Sequence, residues 1–122
     1  MNPTSESLRQ LAVEALEDLR GVDIQVLDVT ELTGVTDYMV VASGRSDRQV
    51  RALADAVVQK AKAAGQQPLG VEGQSAAEWV LVDLGDVVVH VMDSESRETY
   101  QLEKLWQRPA RLRALDDVSA VC

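Results

Sequence analysis

The chain has no phenylalanine, one histidine, one cysteine, two tryptophans and two tyrosines among 122 residues. The cysteine is Cys122, the last residue, so no internal disulfide can form; a reducing compartment is expected, and with it a cytoplasmic location. Because His90 is the single histidine, neither a Cys–His site nor a histidine-rich metal site can be assembled within one chain, and neither metal nor cofactor is expected. A serine triad would require His90 to meet a serine and a carboxylate, yet no nucleophile-elbow motif is present. No apolar run approaches the length that crosses a bilayer, and the segment MNPTSESLRQ lacks the basic and apolar regions of a secretory signal, so no membrane association is expected. Basic residues are the minority, 12 against 20 acidic ones, for a net charge of −8. Such a field repels phosphate backbones, so little or no direct nucleic-acid binding is expected, whereas a basic protein partner would be steered in.

What is present is enough apolar content, 46%, for one core. Residues 1–108 are expected to form a single α/β domain, with 109–122 a flexible tail. Asn2 or Thr4 can cap a first helix, on which Leu8, Leu11, Ala12, Ala15, Leu16 and Leu19 recur at helical spacing, ending near Gly21. Asp23 to Thr30 and Tyr38 to Ser43 read as strands, the second the more buried. Ser46 and Gln49 have capping-box spacing and open a helix that carries Val50, Leu53, Ala54, Val57, Val58 and Ala61 on one face before Gly65. Pro68 to Val71 predicts a short peripheral strand, and Glu95 to Trp106 a last helix. The expected architecture is a mixed sheet of about five strands flanked by helices.

Both tryptophans, the histidine and Tyr100 gather between Val71 and Trp106. Within that segment Trp79 to Leu84 and Val87 to Met92 form a hairpin about Gly85 and Asp86. Strand alternation puts Val80, Val82 and Leu84 with Val87, Val89 and Val91 on an aliphatic face suited to a dry core. The other face combines Trp79, Leu81 and Asp83 with Val88, His90 and Met92, a mixture common on protein-binding surfaces.

The loop Ser43-Gly44-Arg45-Ser46, between a strand and a helix, resembles the Gly-Ser element of nucleotidyltransferases, where free N–H groups hold an anion. That chemistry also needs two carboxylates, usually one residue apart on a neighbouring strand, to hold magnesium. The pair is missing: Glu72 is followed by Gly73 and Gln74, and Asp83 by Leu84 and Gly85. A helix cap and tight turn is the simpler reading, with a nucleotide-binding or nucleotidyltransferase-like enzyme as the alternative. On the last helix Arg97 and Glu98 are expected to be solvated charges, as are Arg45, Arg48 and Arg51 on the second.

Glu72-Gly73, the run Trp79 to Met92, and Arg97, Tyr100, Leu102, Glu103, Leu105 and Trp106 together resemble the ribosomal silencing factor family, also called Iojap or RsfS. The likeness extends upstream through Asp28, Thr36-Asp37-Tyr38 and Ser43-Gly44-Arg45-Ser46, and so runs from about Ser7 to Trp106. Met92 stands where an aromatic residue is frequent in the family. The resemblance implies a nucleotidyltransferase-like α/β fold with no catalytic residues. It implies binding to the large ribosomal subunit through ribosomal protein L fourteen, at the face where the small subunit docks, with translation repressed in starved or stationary cells. Homodimers are frequent in the family. Trp79, Leu81, Asp83, His90, Met92, Arg97 and Tyr100 are the expected partner-binding residues.

Overall fold

The computed structural model describes residues 4–31, 34 and 36–100. The elements run α1 (Ser5–Asp18), β1 (Val22–Asp28), β2 (Tyr38–Gly44), α2 (Asp47–Ala63), β3 (Gly70–Glu72), β4 (Trp79–Asp83), β5 (Val87–Asp93) and α3 (Ser94–Tyr100). The expected tail 109–122 and the continuation of the last helix to Trp106 lie outside the described residues.

The five strands form one mixed sheet in the order β1-β2-β5-β4-β3. Only β2 and β5 are parallel, and the other pairs are antiparallel. The middle of β2 is buried on both faces, which is why its sequence reads as a continuous apolar run. α1 and α2 cover one face. Their stripes, Leu8, Ala12, Ala15 and Leu16 against Val50, Leu53, Val57 and Ala61, close over Val40, Ala42, Val80, Val82, Leu84, Val87, Val89 and Val91 in one core. The aliphatic side of the hairpin therefore faces the helices.

Both helix starts follow from side-chain caps. Thr4 Oγ1 accepts from Ser7 N–H (3.1 Å), and Ser46 Oγ accepts from Gln49 N–H (3.1 Å). Gln49 departs from the capping-box expectation in one respect. Its Oε1 reaches past Ser46 to accept from Arg45 N–H, while its Nε2 donates to the carbonyls of Leu19 (3.2 Å) and Arg20 (3.1 Å). One amide thus closes the start of α2 and the end of α1, which stops at Asp18, near Gly21 as expected, with Arg20 in a left-handed conformation. Strand β3 begins two residues later than Pro68, which has no N–H to pair; Leu69 N–H already donates to the Asp83 carbonyl (2.8 Å), and the register with β4 runs from Gly70 to Glu72.

Candidate functional site

The second face of the sheet is where the hairpin's mixed residues lie, and strand neighbours divide it in two. Toward β2, Met92 is paired with Ser43 on one side and Trp79 on the other. Adjacent rows supply Met39 and Val41 from β2, with Leu27 and then Val29 from the β1 side. These residues and Met92 form a second buried cluster, with Trp79 packed half-buried against it. Met92 is fully buried and His90 is 6% exposed, so neither is an open surface anchor. The expectation that both present themselves to a partner is corrected to this extent: β2 and β1 supply apolar neighbours that the hairpin sequence does not reveal.

Toward β3 the face opens. Leu81, Asp83 and Val88 are half-exposed, and Glu72, opposite Leu81, is exposed. Asp83 accepts from Gly85 N–H at Oδ1 (2.8 Å), which fixes the carboxylate at the hairpin's end.

His90 joins the buried and open halves. Its Nδ1 accepts from Trp79 Nε1 (2.9 Å), with ring centroids 5.8 Å apart and planes tilted by 54°. An acceptor at Nδ1 requires the neutral ring to carry its proton on Nε2. Burial disfavours the imidazolium and pushes the pKa of His90 down to about 4. The histidine is a neutral brace for the indole.

Arg97 differs most from its expected role. It is 8% exposed, and Nη1 donates to Ser43 Oγ (3.0 Å) and the Val22 carbonyl (3.3 Å), while Nη2 lies 3.3 Å from the Asp23 carboxylate. It is a buried tie between α3, β2 and β1 rather than a solvated charge, because α3 folds back against β5 and β2 directly after Asp93. Asp93 Oδ1 caps that helix by accepting from Ser96 N–H (2.7 Å). Glu98 is exposed, as expected. Tyr100 ends the described part of α3, and its side chain lies outside what is described.

The loop that leads into β4 is a part of the site that sequence reasoning missed. Gly73 has φ +90°, and a Cβ there would sit 2.2 Å from the Trp79 carbonyl oxygen. Arg51 anchors the next residues, donating from Nε to the Gln74 carbonyl (2.9 Å) and from Nη2 to the Ser75 carbonyl (2.8 Å). The Glu72-Gly73 dipeptide was the available signal, since a glycine just beyond a strand marks a close approach of backbones.

The Ser43 to Ser46 turn is filled by its own chain. Gly44 packs on Val50, where a Cβ would meet Val50 Cγ2 at 2.8 Å. The N–H groups of Arg45, Arg48 and Gln49 are taken by Gln49, Asp47 and Ser46 side chains, and Asp47 adds a negative charge where an anion would sit. Among the described residues no group of three or more His, Cys, Asp or Glu could hold a metal ion, and no helix is long and apolar enough to cross a membrane.

The described residues form a mixed α/β domain with one helix-covered, apolar face and one face that is part buried and part open. Residues 2–121 match the family described as "Ribosomal silencing factor during starvation". The chain is 50% identical over 107 residues to the "Ribosomal silencing factor RsfS" of Chromobacterium violaceum, covering 86% of this chain and 88% of that one. A crystal structure of a Chromobacterium violaceum protein, also 50% identical, superposes with a TM-score of 0.84 over 86% of this chain and 88% of that chain. The mouse protein named "Mitochondrial assembly of ribosomal large subunit protein 1" is 37% identical over 110 residues, which cover 88% of this chain and 46% of that protein. The chain belongs to the ribosomal silencing factor family.

Proposed function

We propose that the protein binds the large ribosomal subunit through ribosomal protein L fourteen and occupies the face where the small subunit docks, so that subunits fail to join and translation falls in starvation or stationary phase. The half-exposed patch of Leu81, Asp83 and Val88, bordered by Trp79, carries this reading. It offers aliphatic and aromatic surface beside a fixed carboxylate, the composition of a protein-docking centre. The net charge of −8 suits a basic ribosomal protein, and the mouse relative's name refers to the large subunit. Trp79 and Leu81 are the proposed contacts and Asp83 the orienting group. His90 and Met92 hold Trp79 from beneath, Arg97 fixes the start of α3, and Tyr100 is proposed as a further partner-binding residue. The fold is read as a nucleotidyltransferase-like scaffold used for docking, since the closed Ser43 to Ser46 turn weighs against a phosphate site. Calorimetry with magnesium and nucleoside triphosphates tests that alternative, and specific tight binding would favour an enzyme.

The decisive measurement is a subunit-joining assay with purified large and small subunits. Saturating protein is expected to reduce joined particles, and Leu81→Glu to abolish the effect while the domain stays folded. Normal joining at saturating wild-type protein would end the proposal. A homodimer built on the same apolar patch would compete with docking, so sedimentation across protein concentrations belongs in the assay.

A further inference from the structure

Among the described residues strand β1 is an outer strand of the sheet, so one row of its main-chain N–H and C=O groups points away from β2. On the helix-facing side of that edge lies a shallow groove of about 380 Å³, lined by Arg9, Gln10, Val13, Glu14 and Glu17 of α1 and by Val26 of β1. Val26 is 39% exposed and Val13 half-buried, which gives the groove an apolar floor. Its position is where the inward side chains of an added strand would fall, since neighbouring strands lie about 4.8 Å apart.

We propose that this edge takes up a basic, extended segment of a partner polypeptide as a sixth strand, with alternate aliphatic residues on Val13 and Val26 and lysine or arginine toward Glu14 and Glu17. The surrounding charge selects that occupant. Arg9 is held over the Tyr38 ring, 5.1 Å from its centroid, and Asp28 lies on the same side of β1, opposite Tyr38. Lys60 lies 3.7 Å from Glu14 and 3.5 Å from Asp18. The lining itself holds two carboxylates, Glu14 and Glu17, against one cation, Arg9, which the Tyr38 ring holds, and Asp18 adds a further carboxylate beside Lys60, so the groove is acidic on balance. A second copy is disfavoured because two such edges would bring like charges together. Pairing is limited to Gln25–Asp28, since the register shifts between Val22 and Gln25 and Asp23 is in a left-handed conformation. This edge is separate from the hairpin patch, so its occupancy and ribosome docking are measured independently.

The test is an amide-resolved NMR titration of the isotope-labelled full chain with a short alternating lysine–valine peptide. An alternating lysine–proline peptide of equal charge, which cannot pair as a strand, is the control. Expected are shifts and slowed amide exchange centred on Gln25–Asp28 and the facing side of α1. Val26→Lys is expected to weaken binding about tenfold through lost apolar contact. Glu17→Lys, on the exposed side of α1, is expected to weaken it about threefold in a salt-sensitive manner, and serves if Val26→Lys does not fold. Equal perturbation by the lysine–proline peptide, shifts centred on Leu81 and Val88, or protection of β1 by self-association without peptide would each overturn the proposal.

Discussion

At the scale of single residues, two positions carry distinct physical demands. His90 is buried as a neutral base with its pKa pushed from 6.5 down to about 4, so it binds a proton more readily unfolded than folded. Its contribution is fully present above pH 6.5 and is lost as pH falls from 6.5 through about 4. Thermal or urea unfolding from pH 7 to pH 4 should show that loss, up to about 3 kcal/mol, and His90→Gln should flatten the profile. The same variant should alter Trp79 fluorescence, because the indole N–H loses its Nδ1 acceptor. Gly73 makes a different demand, since any side chain there meets the Trp79 carbonyl. Gly73→Ala is expected to cost on the order of 2–4 kcal/mol, read as a lower urea midpoint, and to shift the β4 amides in NMR spectra.

At the scale of elements, side-chain hydrogen bonds that span long sequence separations tie α1, α2 and α3 in place beside the apolar packing. Gln49 links α2 to the carbonyls of Leu19 and Arg20, roughly thirty residues earlier in the chain. Gln49→Ala should destabilise the fold by about 1–2 kcal/mol and speed amide exchange at the end of α1 and the start of α2 together. Loss at only one helix would show that the amide is a local cap. Arg97 has the corresponding role for α3, joining it to Ser43 and Val22. The sequence places Arg97 on a short charged helix, and such residues are ordinarily solvated. Only the return of α3 against β2 buries it.

At the scale of the whole molecule, the buried and open halves of the sheet's second face separate stability from the proposed docking. Met92 and Leu81 lie on the same face, one in a buried cluster and the other half-exposed. Met92→Ala is expected to lower stability by about 2–4 kcal/mol through the cavity it leaves. Leu81→Glu should leave stability within about 1 kcal/mol and reduce ribosome affinity by 2 kcal/mol or more, roughly thirtyfold. Denaturation and co-sedimentation with large subunits, measured on both variants, check the division. A Leu81→Glu protein that docks normally would move the contact elsewhere on the surface.

The element order, the capped starts of α1 and α2, the aliphatic side of the hairpin and the buried character of β2 were legible in the sequence. Each depends on local periodicity or on side chains a few residues apart, which the covalent chain itself sets. The scarcity of histidine and cysteine and the acidic balance likewise constrained the chemistry before any fold was known. The exposure of Trp79, Leu81, Asp83, His90 and Met92 was not legible. Alternation assigns them to one side of a strand but does not say which strand lies beside it or what covers that side. Those matters were decided by the order β1-β2-β5-β4-β3, which brings Met39, Val41 and Leu27 to Met92 and leaves Leu81 near the open edge. Burial is a property of neighbours distant in sequence, and only the tertiary structure brings them together.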